Sequence, residues 1–381
     1  MKVAVLGYGT VGKGVYEMLR KAEGLEPGPV LVREGKAQEP FHVTSMDAIL
    51  ADESVGAIVE AMGGVEPAYT YAKAALGAGR HFVTSNKVLV AAKGLELAAL
   101  ARDKGAAFLF SAACGGGVPF LHNLALAVKS DEISSVSGIL NGTTNYMLYA
   151  MQSRGWDYAQ ALREAQALGY AEADPTADVS GMDAARKILL ACAVAFSRLP
   201  ENGVECEGID HLSAADVRDF QSRGLTCRLI ARGVPVGNTV AAYVEPVLFK
   251  AGAPECSVAD NYNMARYEGR CSGPMVFMGQ GAGRFPTASA VLRDLGCVLE
   301  GQRAMLPAGC VAVTADNDRD DHRYYVRMAA PGNASLPLGE LLVQGETIRA
   351  ITQSISVLKM HDYAAKVRAA GGEIFFAAME E

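Results

Sequence analysis

The chain has 381 residues, half of them hydrophobic and a fifth charged, which is too long for one simple core and predicts two or three domains. Its 35 Lys and Arg against 42 Asp and Glu leave a formal charge of -7 with no basic block or stripe, which argues against a nucleic-acid partner. No apolar run reaches the length of a membrane span, no leader-like segment precedes the first strand-like run, and the eight cysteines form no zinc or thioredoxin spacing, so a cytoplasmic protein with reduced thiols is expected.

The first 110 residues alternate short apolar runs with helix-like stretches. Strands are expected over Lys2–Leu6, 30–33, 57–61, His81–Thr84 and 107–110, with Ala- and Leu-rich helices over 68–76 and 94–104 and Gly77 and Gly105 at helix ends. Strand alternating with helix predicts a parallel sheet covered on both faces. After Gly115-Gly116-Gly117 the character shifts: a long helix from Leu121, a strand over 133–140, helices over 158–168 and 183–196, and a strand over 238–248. A Gly-rich turn and helix follow over 279–295, and the tail reads as strands over 324–328 and 351–357, a helix over 361–369 and a strand over 373–377.

Gly7, Gly9 and Gly12 form G-x-G-x-x-G between the first strand and a helix over 11–19. The first glycine allows the tight turn, the second lets a pyrophosphate approach the backbone, and the third lets helix and strand pack closely. The free amides and dipole at the helix start favour phosphate, which makes Gly7, Gly9, Thr10, Val11 and Gly12 candidate cofactor contacts. Arg33, at the end of the second strand-like run, suits the 2′-phosphate of NADP, while Glu34 beside it leaves NAD open. The fold class is therefore α/β: a Rossmann-type doubly wound parallel sheet over 1–125, then a mixed α+β domain over 126–279, and a tail over 322–381.

The densest chemistry is LGYAEADPTADVSGMDAARK at 168–187, with Glu172, Asp174, Asp178 and Asp183 ahead of Arg186 and Lys187. Gly169 and Pro175 place its first half in a loop. Asp183 and Lys187, four apart on a helix, share one face. Such a pair is commonly a solvated ion pair of little energetic weight. Clustered carboxylates in a Gly/Pro loop need a cation, and a substrate ammonium would serve. The six histidines show no metal-ligand spacing, and Cys114 reads as a packed small hydrophobe.

LNGTTNYML at 140–148, LGYAEADPTAD at 168–178 and GMDAARK at 181–187 resemble the signature region of homoserine dehydrogenases. AMGG at 61–64, TSNK at 84–87, CGGGVP at 114–119 and GQGAGRFPTASAV at 279–291 follow the same family's order across roughly residues 1–295. The resemblance implies NAD(P)-dependent interconversion of L-homoserine and L-aspartate 4-semialdehyde within the aspartate-family amino-acid pathway. It also implies that about 280–305 completes the first domain, that 126–279 is the substrate-binding, catalytic and dimerisation domain of a homodimer or higher homo-oligomer, and that a monovalent cation, Na or K, is held through backbone carbonyls. It assigns Lys187, Lys87 and Asp183 to catalysis, and Glu172, Asp178, Tyr170, Gly142 and Thr143 to the substrate. Gly63, Ser85, Lys87, Gly281, Gly283 and Thr287 join the cofactor set. A lysine of suitably lowered pKa can take or deliver the hydroxyl proton while a neighbouring cation steadies the oxygen. Lys187 is read as the shuttle and Lys87 as its electrostatic partner, with the reverse left open. The tail, with RYYVRMAAPG at 323–332, resembles a shortened ACT-type regulatory domain.

Overall fold

The computed structural model describes residues 1–329, 336–343 and 347–380, and the chain divides into two compact units. The first comprises Met1–Ile133, Leu189–Leu199 and Gly269–Ala312. Its sheet holds β1 (Lys2–Leu6), β2 (Glu26–Leu31), β3 (His42–Val43), β4 (Val55–Glu60), β5 (His81–Thr84) and β6 (Phe108–Leu109) in the order β3-β2-β1-β4-β5-β6. Every pairing in it is parallel. Val3, Ala4, Val5 and Leu6 are wholly buried, as a strand covered on both faces requires, and this is why the strand reads as an unbroken apolar run. The order reverses between β1 and β4, so the crevice for a ligand lies over the carboxyl ends of these two strands. The chain returns late to this unit: Arg284–Leu299 forms a helix, and the Phe108 amide donates to the Arg303 carbonyl at 3.0 Å.

Several boundaries differ from the sequence reading. β2 ends at Leu31, so Arg33 lies in the loop beyond it, its carbonyl accepting from the Lys36 amide at 2.9 Å. The helix expected over 94–104 begins at Lys87, where Asn86 accepts the Leu89 amide at 3.1 Å and so starts the helix seven residues earlier. The helix expected to run long from Leu121 is only Phe120–Ala127.

The second unit comprises Ser134–Ile188, Pro200–Glu268 and the chain from Val313 onward. Its centre is a long antiparallel hairpin, Leu225–Val236 with Thr239–Lys250, paired residue by residue from Val236↔Thr239 to Leu225↔Lys250. Only its second strand was legible in the sequence, because the first carries Arg228 and Arg232, which look like surface residues. Arg228 is 2% exposed and donates to the carbonyls of Cys227, Glu255, Cys256 and Val258. Its burial is tolerated because main-chain dipoles replace water. The tail extends the same sheet, since Ile374–Met379 pairs in parallel with the hairpin through Val247↔Ala378 and Leu248↔Met379. The strand expected over 351–357 is instead Thr347–Thr352 and Ile355–Ser356. There Ser356 caps a helix over Val357–Ala369. Residues 330–332 of the RYYVRMAAPG segment lie outside the described residues.

Candidate active site

In the first unit the G-x-G-x-x-G turn joins β1 to the helix Thr10–Leu19. A Cβ on Gly12 would lie 2.0 Å from the Gly7 carbonyl oxygen, so this position admits only glycine. Gly9 is the N-cap and gives no side-chain cap, which leaves the amides around Thr10 and Val11 without a side-chain cap. The turn therefore fits a pyrophosphate. Around the carboxyl ends of β4 and β5 stand Gly63 and Ser85, and Lys87 is the first residue of its helix. Gly283 caps the helix Arg284–Leu299, and Thr287 is buried in its first turn, its amide donating to the Gly283 carbonyl at 3.1 Å. Gly281 lies just ahead of it. Arg33 is exposed.

In the second unit the loop over 168–181 and two helices, Gly142–Arg154 and Met182–Phe196, assemble the expected charged set. Lys187 is 8% exposed, and its ammonium donates to Asp183 at 2.7 Å and to the Leu140 carbonyl. The side chains of the pair are 10% and 14% exposed, so it is not the solvated helix pair that spacing alone would suggest. Asn141 had not been singled out. Its Nδ2 donates to Asp178 at 2.7 Å and to Asp183 at 3.0 Å, while its Oδ1 caps the helix by accepting the Thr144 amide at 2.8 Å. Burial pushes the Asp178 carboxyl upward and the nearby Asp183 charge adds to this, against the lowering effect of the Asn141 hydrogen bond. A cationic group arriving beside Asp178 would reverse that shift.

Thr143 Oγ1 donates to the Tyr170 carbonyl at 2.5 Å, and the Tyr170 ring meets Tyr146 edge-on, with centroids 5.2 Å apart. Gly142 is pressed against the loop over 258–263: a Cβ there would lie 2.7 Å from the Asn261 carbonyl oxygen. Thr143, Tyr170, Asp178, Asn141, Asp183 and Lys187 thus form one connected set. Glu172 stands apart from it. Its side chain is exposed, and its main-chain carbonyl accepts from Gln166 at 3.2 Å.

Two further features escaped sequence reading. Glu60, the last residue of β4, is wholly buried and accepts three hydrogen bonds. On the loop beside Gly142, Asp260 holds a left-handed φ of 54°, and in the strand Tyr262–Gly269 that follows, the buried Asn263 side-chain amide makes no hydrogen bond among the described residues. The sequence marks of these residues are slight: an acid ending an apolar strand, and a polar cluster between strands.

Asp294, within the helix Arg284–Leu299, is also buried. It accepts from the Ser111 amide at 2.8 Å and the Ser111 hydroxyl at 2.6 Å. Burial pushes its carboxyl up to about 7, against those hydrogen bonds. Ser111 opens the short turn leading into the CGGGVP segment, where Cys114 is fully buried.

Comparison with known proteins agrees with this arrangement. Residues 119–295 match the sequence family described as homoserine dehydrogenase, and residues 7–111 match the homoserine dehydrogenase NAD binding domain. A homoserine dehydrogenase from Corynebacterium glutamicum is 41% identical over 314 residues, covering 77% of this chain and 70% of that protein. One from Synechocystis is 38% identical over 316 residues, covering 77% of this chain and 72% of that protein. The crystal structure of a homoserine dehydrogenase from Thiobacillus denitrificans superposes with a TM-score of 0.86 at 30% identity, covering all of this chain and 98% of that one. The chain belongs to the homoserine dehydrogenase family, and it is an oxidoreductase with that family's NAD-binding domain.

Proposed function

We propose that the Asp183–Lys187 pair carries the proton in this chain's interconversion of L-homoserine and L-aspartate 4-semialdehyde. The observation that supports this is the buried position of Lys187. An ammonium has three N–H donors, and Asp183 and the Leu140 carbonyl take two, which leaves one for a substrate oxygen. The dinucleotide, when bound, supplies or accepts the hydride. In the reductive direction Lys187 gives its proton to the oxygen as negative charge develops there. In the oxidative direction it receives the hydroxyl proton. Asp183 orients the ammonium, and Asn141 holds Asp183 and Asp178 side by side. Asp178, assisted by Thr143, Tyr170 and Gly142, receives the substrate ammonium. Glu172 joins it only if substrate draws the loop inward.

Lys87, at the head of its helix, is the second lysine of the reading, and a Lys87→Ala variant of unchanged turnover would remove it from the mechanism. NADP is the proposed cofactor on the strength of Arg33, although the end of β2 at Leu31 sets Arg33 two residues into the loop. No group of three or more His, Cys, Asp or Glu among the described residues could hold a metal, so a Na or K ion would rest on main-chain carbonyls. A cytoplasmic homodimer is the proposed setting; among the described residues no helix is long and apolar enough to cross a membrane. The test is nicotinamide absorbance with purified protein, L-homoserine, and NAD or NADP in parallel. Homoserine-dependent reduction supports the reading, and the ratio of the two rates decides the cofactor. Dinucleotide binding without reduction would overturn it in favour of a cofactor-binding sensor.

A further inference from the structure

We propose that Glu60 is a positioning residue for the dinucleotide half of the reaction, fixing the loop after β4 and the base of the Lys87 helix as one rigid edge. Glu60 is fully buried at the carboxyl end of β4, on one side of the point where the strand order reverses. Its Oε1 accepts the amides of Met62 at 2.6 Å and Gly63 at 3.0 Å. Its Oε2 accepts the Thr84 hydroxyl at 2.6 Å, directly across the β4–β5 register. Thr84 Oγ1 in turn accepts the Asn86 amide at 2.9 Å. Asn86 then caps the helix through the Leu89 amide and donates to the Gly64 carbonyl at 2.6 Å. A single carboxylate therefore joins the 61–64 loop, the end of β5 and the residue preceding Lys87. The loop also abuts the dinucleotide turn: a Cβ on Gly7 would lie 2.9 Å from the Met62 side chain and 3.0 Å from the Ala61 carbonyl oxygen.

Two consequences follow. The amides of Met62 and Gly63 are turned toward Glu60, so the loop presents the rest of its backbone to the crevice in one conformation. The three donors to Glu60 are all neutral, so the carboxylate's field extends along this edge, and burial weakens its screening. Such a field favours a cationic nicotinamide ring over a neutral one. Glu60 would thus favour binding of the oxidised cofactor over the reduced one, and its charge would assist hydride departure from a bound reduced cofactor, the direction that reduces the semialdehyde.

The inference rests on the proposed dehydrogenase reading, and its test separates the two. Glu60→Gln is nearly isosteric: the amide oxygen can still accept from Met62 and Gly63, and the amide nitrogen can donate to Thr84 once that hydroxyl rotates. Dissociation constants for NADP and NADPH, kcat and substrate KM for NADPH-dependent reduction of L-aspartate 4-semialdehyde, and the melting temperature are measured for wild type and variant. The expected result is a several-fold fall in the reductive kcat, a fall of at least that size in the preference for NADP over NADPH, and a semialdehyde KM within about twofold. Unchanged kcat and an unchanged NADP/NADPH ratio would overturn the proposal. A lower melting temperature with both of those intact would also overturn it, because it would make Glu60 purely structural. Wild type that binds dinucleotide but reduces none with homoserine would sink the enzymatic reading instead, while the NADP/NADPH ratio would still judge Glu60.

Discussion

Asp294→Asn probes an acid whose burial holds its carboxyl far above the ordinary carboxylate range. In the unfolded chain this carboxyl titrates near 3.8, and in the folded chain burial pushes it up to about 7. Between those values the native state holds one more proton than the unfolded state. The stabilisation is therefore fully present below the unfolded pKa and is lost as pH rises through the folded pKa. At about 1.4 kcal/mol per unit, a rise of about three units amounts to something on the order of 4 kcal/mol across the window. Asp294 has no exposed surface to screen this. An Asn side chain mimics the protonated acid: its oxygen can accept the Ser111 amide and its NH2 can donate to the Ser111 hydroxyl, replacing both contacts. Urea denaturation at a series of pH values from about 5 to about 8 should show wild-type stability falling by up to about 1.4 kcal/mol per pH unit relative to the variant, with the variant the more stable at the alkaline end. Parallel curves for the two proteins would refute the reasoning, since they would show that Asp294 does not titrate in this window.

Other perturbations follow from the same geometry. Gly12→Ala places a Cβ against the Gly7 carbonyl oxygen and must open the turn; titration should show dinucleotide affinity weakened by at least roughly tenfold, about 1.4 kcal/mol. Asn141→Ala removes the cap on the Thr144 amide and the amide that holds Asp178 and Asp183 together. It should cost about 1 kcal/mol in denaturant melts and lower kcat/KM for homoserine as well. Asp260→Gly relieves a left-handed φ of 54° that an L side chain tolerates poorly. It should raise stability by roughly 1 kcal/mol in the same melts.

The legible parts of this protein are those whose physics is local. β1, the glycine turn and the following helix could be read because a buried parallel strand is continuously apolar and the turn needs small residues at fixed spacing. Asp183 and Lys187 could be paired because helical period places them together, but their burial could not be read, since it depends on the Leu140 carbonyl 47 positions away in sequence. Asn141 carries a local signal, an Asn three residues ahead of the Thr144 amide that it caps, but nothing local shows that it also holds Asp178 and Asp183. Glu60 and Arg228 carried almost none. An acid ending a strand or an Arg within one reads as surface until the partners from distant segments are in place: Thr84 for the first, the 255–258 carbonyls for the second. The tail misled for the opposite reason. Ser356 is a strong helix cap, yet the β-branched run before it drew the strand reading through 357.

The central claim is that the buried Lys187 moves the proton. It is tested most directly by Lys187→Met, which keeps the length and apolar stem and removes the ammonium. The steady-state rate of homoserine-dependent cofactor reduction should fall by roughly 10²- to 10⁴-fold in a variant shown to be folded, with dinucleotide affinity close to wild type. A folded variant that retains the wild-type rate would contradict the account and shift the proton to another group.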